Sequence, residues 1–292
     1  MTSNKFNLIS YASGLAGVDL RCGEGPLVIK RVIHATEVSW DEPIFPPIPL
    51  SLRIDEAVKQ MCETLAKKVS AMVMRKQFVT VLGGDHTAAI GTWSGVYDAL
   101  HAQGDIGLLW IDAHMDSHTP KTTESGRLHG MPLATLMGYG YPSLTTILHS
   151  SPKIKPEHLC LIGVRSYERS EAELLKRLNV RIYFMDEIKA RGFQTIFKEA
   201  IEIVCQYTIG YGISLDLDSI DPKEAPAVDV PAPNGLHAKD LMSEIIATMC
   251  DPKLVAMEIV EFDPSRDIND KTQKLIVDLM NAMIKKRFHA KT

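Results

Sequence analysis

IGLLWIDAHMD, residues 106–116, decides the fold class, because an unbroken apolar run passes directly into a cluster of acidic and histidine residues. A run that is apolar throughout, rather than alternating, is typical of a strand buried on both faces of a parallel sheet. Runs of this kind alternate with helical patterns along most of the chain. The candidate strands are 6–11, 78–82, 106–111, 158–164, 180–184, 209–215 and 254–260. This pattern predicts an α/β protein, a three-layer α/β/α fold with a central, mainly parallel sheet.

Two helices are clear from their periodicity. From Ile54 to Met74, apolar residues recur every three or four positions and form one stripe. A last helix follows Asn269, and either Asn269 or Asp270 is expected to cap its N-terminus. Both stripes are typical of helices that pack on a core.

The chain of 292 residues contains no recognisable linker, repeat or low-complexity segment. Residues 40–50 carry four prolines and are expected to form a structured loop, neither strand nor helix. With 45% hydrophobic residues, the chain can bury a large core. We therefore expect a single domain spanning 1–292.

Charge and cysteine usage narrow the class of protein. A net charge of -4 gives no indication of a nucleic-acid partner, and no apolar run is long enough to cross a bilayer. The first ten residues, MTSNKFNLIS, lack the features of a signal peptide. The five cysteines are scattered and include no CxxC pair, which favours reduced thiols in a cytoplasmic protein.

Three segments rich in aspartate and histidine each follow a candidate strand. They are GGDH at 83–86, DAHMD at 112–116 and SLDLDSIDP at 214–222. Because the carboxyl ends of strands in an open α/β sheet converge on one crevice, these segments are expected to meet in space. The two glycines of the first segment allow a close approach of the backbone. In extended chain, donors two residues apart point to the same side, so each segment is expected to present its donors together.

The convergence creates a problem of charge. It would bring together four carboxylates, those of Asp112, Asp116, Asp216 and Asp218. At about 4 Å, each like-charged pair costs on the order of 4 kcal/mol at an effective dielectric constant of about 20. Two divalent cations would balance four carboxylates, and the mixture of carboxylate and imidazole favours manganese, with zinc, iron, cobalt and nickel as alternatives. Two such ions, about 3.5–4 Å apart, lower the pKa of a bridging water and supply hydroxide near neutral pH.

Together, the three motifs resemble the signature motifs of the ureohydrolases, the family of arginases, agmatinases and formimidoylglutamases. GLAGVDLRCGEGP at 14–26 is similar to a glycine-rich loop of the family, and MEIVEFDP at 257–264 to its last active-site strand. The resemblance covers nearly the whole chain. It implies an arginase-like fold, two Mn²⁺ ions per chain, and hydrolysis of a guanidinium group by a metal-bridging hydroxide. It also implies a homo-oligomer, either a trimer or a hexamer.

The resemblance implies a role for individual residues. One manganese would be held by His86, Asp112, Asp116 and Asp216, and the other by Asp112, His114, Asp216 and Asp218. Asp116 would also orient the hydroxide, Glu261 would bind the guanidinium, and His129 would carry the proton to the leaving group. On the sequence alone, Glu261 could instead be a solvated acid, and His129 a residue at the start of a helix. Three other acids are expected to be structural, namely Asp85, Asp221 and Glu258.

The loop that follows DAHMD bears on the choice of substrate. It aligns with the arginase loop without gaps, and Ser125 matches a residue that contacts the amino-acid end of arginine. Arginases usually carry asparagines where this chain has His118 and Arg127. Arg127 is expected either to pair with a substrate carboxylate or to be solvated at the rim, and Glu168 to face an α-amino group.

Further departures lie outside this loop. Arginases have aspartates near Ser166 and Glu168, and usually Gly-Thr in place of Asp229-Val230. The sequence favours L-arginine, hydrolysed to L-ornithine and urea. The alternatives are another guanidino or formimino compound, with agmatine disfavoured because it has no carboxylate, and a metal-bound homologue without turnover.

Overall fold

One parallel sheet of eight strands forms the centre of the molecule. The computed structural model describes residues 5–48 and 53–289. Within them the sheet order is β2-β1-β3-β8-β7-β4-β5-β6, and every pair is parallel. The strands are β1 Phe6–Tyr11, β2 Val38–Trp40, β3 Val79–Gly83, β4 Ile106–Ile111, β5 Leu159–Val164, β6 Arg181–Phe184, β7 Gly210–Asp216 and β8 Leu254–Val260.

Ten α-helices cover the sheet within the described residues. They are α1 Gly25–Val32, α2 Ile54–Met74, α3 Ala88–Leu100, α4 Pro132–Leu136, α5 Pro142–Thr145, α6 Arg169–Arg177, α7 Met185–Arg191, α8 Phe193–Cys205, α9 Ala238–Thr248 and α10 Lys271–His289. Short 3-10 helices span Leu20–Glu24, Leu128–Gly130, Pro156–His158, Leu217–Ser219 and Pro264–Arg266. Across the described ranges, none of the helices has the length and apolar character needed to span a membrane.

Two hydrophobic cores lie on opposite faces of the sheet. One packs α1, α8, α9 and α10 against it, through residues such as Phe197 and Met283. The other packs α2, α3 and α4 against the second face, through residues such as Leu65 and Trp93. Successive strand residues point to opposite faces, so strands buried on both sides read as continuous apolar runs. The predicted three-layer α/β fold is confirmed, with a sheet that is wholly parallel.

All seven predicted strands are present, four of them with ends displaced by one residue. The eighth, β2, was missed because three residues carry too little pattern. Residues 41–48 of the proline-rich segment form a loop as predicted, and Ile44 makes an isolated bridge to Tyr11. The prediction was wrong at Trp40, which is the last residue of β2. Residues 49 and 50 of that segment lie outside the described residues.

The predicted cap of the last helix was wrong. Asn269 and Asp270 both have positive φ angles, 58° and 54°, and precede a helix that begins at Lys271. The first N–H groups of the helix are satisfied instead by Asp267, whose carboxylate accepts from the backbone of Thr272 at 3.0 Å and of Gln273 at 2.8 Å. A capping acid can therefore lie several residues before the helix when the intervening chain turns back.

The order of the strands places the polar segments together. GGDH follows β3, DAHMD follows β4, SLDLDSIDP begins within β7, and Glu261 follows β8. These four strands are neighbours in the sheet, in the order β3-β8-β7-β4. Their carboxyl ends therefore meet at the middle of one edge of the sheet, as the sequence predicted.

Candidate active site

Three carboxylates surround the imidazole of His86. Its Nδ1 lies 2.9 Å from an oxygen of Asp116, 3.1 Å from one of Asp216 and 3.4 Å from one of Asp112. The ring is almost completely buried, yet among the described residues Nδ1 has no partner in hydrogen-bonding geometry. One nitrogen and three oxygens at these spacings converge on a common point, which is the arrangement of ligands around a cation.

A second group lies beside the first and shares Asp112 with it. Nδ1 of His114 is 3.0 Å from an oxygen of Asp218 and 3.5 Å from one of Asp112. The ligand atoms of His86, Asp112 and Asp216 lie within 4.8 Å of one another, and so do those of Asp112, His114 and Asp218. All six of the predicted metal-binding side chains are therefore brought together, as two adjacent groups.

Backbone and side-chain donors hold these carboxylates in place. Asp112 accepts from the indole N–H of Trp110 at 2.9 Å, Asp216 from the backbone N–H of Asp218 at 2.9 Å, and Asp218 from that of Ala113 at 3.2 Å. In Asp216 and Asp218 one oxygen is anchored in this way, while the other oxygen faces a histidine. Such anchoring reduces the reorganisation that cation binding requires.

The local backbone is not the extended chain that the spacing suggested. Asp116 has a φ of 47°, and Leu217–Ser219 is a 3-10 helix. The donors nevertheless lie together, as predicted, while the intervening Ala113, Met115 and Leu217 are fully buried. A left-handed φ is uncommon outside glycine and marks a position that the surrounding structure holds in place.

Gly84 explains the paired glycines before His86. A Cβ at Gly84 would lie 2.1 Å from the carbonyl oxygen of Ser13, so no larger residue fits. Next to it, the backbone N–H of Asp85 donates to the same carbonyl at 2.8 Å, and the Asp85 side chain accepts from Ala16 at 3.2 Å. As predicted, Asp85 therefore joins the loops that follow β1 and β3.

The electrostatics of the two groups reflect the crowding of acids. Burial raises the pKa of Asp216, and the charges of Asp218 and Asp112 raise it further. Burial followed by the charge of Asp112 likewise raises the pKa of Asp116. Four carboxylates here cannot all be ionised at low cost without added positive charge, which is the condition that the sequence anticipated.

Glu261 and His129 form a pair beside the two groups. His129 Nδ1 lies 3.2 Å from Glu261 Oε1, which also accepts the backbone N–H of His86 at 2.8 Å. The Cys22 thiol lies 3.5 Å from the second oxygen of Glu261. Burial opposes the protonation of His129, but the hydrogen bond and charge of Glu261 outweigh it and raise the pKa of His129 to about 9.

A cavity of about 320 Å³ opens above these residues. It is lined by His114, Asp116, Asp216, Asp218, His129 and Glu261, and also by Val18, His118, Glu124, Ser125, Arg127, Gly130, Glu168, Glu171 and Val230. The exposed members of this lining, Val18, Glu124, Ser125, Arg127 and Glu168, mark its mouth. His86 and Asp112 do not line it and lie in the buried layer behind it. The cavity therefore combines an acidic end with a mixed, partly exposed mouth.

At the mouth, the residues predicted to bind substrate differ in solvent exposure and in whether they already have a partner. Ser125 and Arg127 are exposed, and within the described ranges the Arg127 guanidinium has no ion pair. His118 is buried, with Nε2 3.0 Å from Glu168 and 3.5 Å from Glu171. Glu168 thus already has a partner. Ser166 does not line this cavity.

Residues 31–285 match the model of the arginase family. The chain belongs to this family. It is 42% identical over 234 residues to the arginase of Bacillus caldovelox, an overlap of 80% of this chain and 77% of that protein. A solved arginase from Bacillus subtilis subsp. subtilis str. 168 superimposes with a TM-score of 0.88 and 31% identity, covering 98% of this chain and 99% of that one. The solved Bacillus caldovelox arginase gives 0.87 and 33%, covering 96% and 98%.

Some contacts in this arginase-family site were not predicted from the sequence. Glu171 is buried and accepts the backbone N–H of Ser117 at 2.9 Å, and this contact joins α6 to the loop after β4. The Arg165 side chain donates to the carbonyl oxygen of Asp218 at 2.6 Å and to that of Ala232 at 2.8 Å. Glu171 also accepts the backbone N–H of Glu168 at 3.1 Å and so caps α6, and nothing in the sequence around it indicates the contact with Ser117. Arg165 is a lone arginine after a strand, and it too carried no local signal.

Glu258 and Asp221 were predicted to be structural. Glu258 is fully buried, does not line the cavity, and accepts the indole N–H of Trp93 at 2.6 Å. Ser214 of β7 is paired with Glu258 of β8, and its hydroxyl lies 2.9 Å from His86 Nε2. Ser214 and Glu258 therefore lie behind the ligand group that contains His86. Asp221 accepts from the backbone of Lys223 and Gly235 and is a turn residue, as expected.

Proposed function

We propose that this arginase-family protein hydrolyses L-arginine to L-ornithine and urea, using two Mn²⁺ ions. The observation that carries the proposal is the pair of adjacent His/Asp groups that share Asp112 and border a cavity also lined by Glu261 and His129. A guanidino or formimino substrate is the chemistry that such an acidic cavity fits best. We further infer a single ureohydrolase domain over 1–292.

The donor set fits two manganese ions. It consists of carboxylate oxygens and imidazole nitrogens without a thiolate, which suits manganese better than structural zinc. Nδ1 of His86 is buried and has no hydrogen bond to any residue that the structure describes, so it is the nitrogen expected to bind a cation. The first ion would be held by His86, Asp112, Asp116 and Asp216, and the second by Asp112, His114, Asp216 and Asp218. When bound, the ions would supply hydroxide from water and offset the carboxylate charge.

The side chains of this chain then orient the substrate and move a proton. The Glu261 carboxylate would accept N–H groups of the guanidinium, whose planar fork matches a carboxylate. The water oxygen forms a bond to the guanidinium carbon, and the bond from that carbon to the side-chain nitrogen breaks. The leaving nitrogen needs a proton, which His129 would deliver, since its raised pKa keeps it protonated near neutral pH. Asp116 would orient the attacking water.

The mouth of the cavity would bind the rest of the substrate. Ser125 and Arg127 would contact the α-carboxylate, since Arg127 is a cation without a partner among the described residues. Glu168 and His118 would lie near the α-amino group, which would share the Glu168 carboxylate with His118. The alternatives are another guanidino acid, formimidoylglutamate and, less favoured by Arg127, agmatine.

A substrate panel tests the proposal. The protein is loaded with Mn²⁺ and incubated separately with L-arginine, agmatine, 4-guanidinobutyrate and formimidoylglutamate, and urea or formamide is measured. We expect urea from L-arginine with the largest kcat/KM. A larger kcat/KM for another compound would identify that compound as the preferred substrate, and the proposed hydrolytic mechanism would still hold.

A metal-binding homologue without turnover is the candidate from a different functional class. Binding of Mn²⁺ with no urea or formamide from any of the four compounds would favour it over hydrolysis. The presence of Glu261 and His129 beside the two groups supports hydrolysis.

Two further predictions remain to be tested. The resemblance predicts a homo-oligomer, a trimer or a hexamer, which light scattering on the purified protein would measure. The cytoplasmic location also stays a prediction, and fractionation of cells that produce the protein would test it.

A further inference from the structure

Asp229 is a buried acid outside the two groups that share Asp112, and one of its carboxylate oxygens lies within 4.8 Å of the Cys22 thiol and of a Glu261 oxygen. It is 3% exposed and lies in the chain between β7 and α9. One carboxylate oxygen, Oδ2, accepts the backbone N–H of Val18 at 2.5 Å and that of Asp19 at 3.3 Å. These donors lie in the loop after β1, more than 200 residues away. The carboxylate thus connects two loops that no strand pairing brings together.

Arg266 fixes the same segment from its other side. Its guanidinium donates to the carbonyl oxygen of Asp229 at 3.0 Å and lies 3.7 Å from the second carboxylate oxygen, Oδ1. The segment is also tied to the chain after β8, because Val228 bridges Phe262 and the backbone N–H of Asp263 donates to Ala227 at 3.1 Å. Asp229 is therefore held firmly and can act as a fixed acceptor for the loop after β1.

Gly17 is matched to this carboxylate. A Cβ at Gly17 would lie 2.6 Å from Asp229 Oδ2, closer than a carbon and a carboxylate oxygen can approach. The missing side chain of Gly17 is what lets the carboxylate reach the two N–H groups beyond it. Gly17 and Asp229 therefore form one packing unit.

The two connected loops supply one wall of the cavity. Val18 and Val230, each adjacent to a residue of the Gly17–Asp229 unit, both line it. In the same loop, the carbonyl oxygen of Ala16 accepts the backbone N–H of His129 at 3.3 Å. The position of this loop therefore sets both the apolar wall and one anchor of the His129 backbone.

We propose that Asp229 is a positioning residue that determines substrate affinity, by holding the loop after β1 against the loop after β7 so that Val18 and Val230 form one wall of the cavity. The inference rests on the proposed function, since it assigns this wall to the substrate chain. Asp229 itself does not touch the substrate.

Kinetics of Asp229 variants test this. In Asp229→Gly the acceptor is lost, and we expect KM for L-arginine to rise about tenfold, the equivalent of one hydrogen bond to a charged group. We expect a smaller effect on kcat than on KM, because Asp229 makes no contact with the His129 side chain, although it lies beside Glu261 and its partner loop also anchors the His129 backbone. Asp229→Asn keeps an acceptor oxygen and should restore most of the affinity. Asp278→Asn, on the exposed face of α10, is the matched control.

A double-mutant cycle tests the contact itself. Gly17→Ala should raise KM and lower the melting temperature in the presence of Asp229. In the Asp229→Gly background it should do neither, because the clashing oxygen is gone. Additive effects of the two changes would overturn the proposal.

Other results would also overturn it. An unchanged KM in Asp229→Gly, even with a lower melting temperature, would mean that Asp229 is only structural, as would a fall in kcat at constant KM. If the wild-type protein hydrolyses none of the four compounds, the proposed function fails. The cycle is then read from melting temperatures and from the calorimetric Kd for L-arginine. Additive melting effects, or a Kd that does not respond to Asp229→Gly, would overturn the inference separately.

Discussion

The indole of Trp110 stacks on the imidazole of His86, with ring centroids 4.2 Å apart and an interplanar angle of 11°. The same indole donates its N–H to Asp112 at 2.9 Å. The buried Trp110 side chain, near the end of β4, therefore fixes both the imidazole of His86 and the carboxylate of Asp112, which the two groups share. This contact orients two candidate ligands before any cation arrives.

Replacing Trp110 by Phe tests this orientation. The variant keeps an aromatic ring against His86 and removes the hydrogen bond to Asp112. We expect the Kd for Mn²⁺, measured by titration calorimetry, to rise by about 10-fold, within the range usual for partners that orient ligands. Trp40→Phe is the control, since the Trp40 indole N–H has no hydrogen-bond partner in the described part of the chain. Equal Mn²⁺ affinity in wild type and Trp110→Phe would show that the contact does not orient the ligands.

Removal of metal should destabilise the fold. With Mn²⁺ at about 100 times its Kd, each of the two ions adds about 2.7 kcal/mol to the native state, which corresponds to a loss of about 5 °C in Tm per ion, or about 10 °C for both, after chelation. The physical reason is the repulsion among four buried carboxylates. Asp218→Asn removes one of these charges, so its apo and loaded forms should melt closer together. The same Tm before and after verified removal would contradict the charge argument.

The pH dependence should report His129. A raised pKa of about 9 means that His129 is protonated below that pH and loses its proton above it. If the protonated form delivers the proton, kcat/KM falls as pH rises through this value. Bound Mn²⁺ adds positive charge nearby, so the descending limb lies at or below about 9.

The His129→Asn variant tests whether His129 is the group that causes the descending limb of the pH profile. It should lower kcat/KM on the order of 10²- to 10⁴-fold and abolish the descending limb. His34→Asn, at an exposed position, is the control. A variant of His129 that keeps the same descending limb would show that another group titrates there.

Arg127 should discriminate between substrates. Arg127→Gln removes the exposed cation at the mouth, and we expect KM for L-arginine to rise about tenfold, the equivalent of one hydrogen bond to a charged group. KM for agmatine, which has no carboxylate, should not change. The exposed Arg31 supplies the matched control, Arg31→Gln. A parallel rise for both substrates would mean that Arg127 does not bind the carboxylate.

The sequence predicted the architecture because each buried strand carries its own apolar run, and it predicted the meeting of His86, Asp112 and Asp216 because parallel strands end at one edge. The sequence did not predict features that depend on contacts with other parts of the chain. Asp267 caps α10 only because residues 268–270 turn back, and Asp116 adopts a left-handed φ instead of extended chain. The contact of Asp229 with Val18 joins residues more than 200 positions apart, and no local sequence pattern predicts it.

Anomalous diffraction from crystals of the Mn²⁺-loaded protein tests the central claim most directly. The account predicts two manganese peaks about 3.5–4 Å apart, one among His86, Asp112, Asp116 and Asp216, and the other among Asp112, His114, Asp216 and Asp218. A single peak, or peaks away from these side chains, would contradict it.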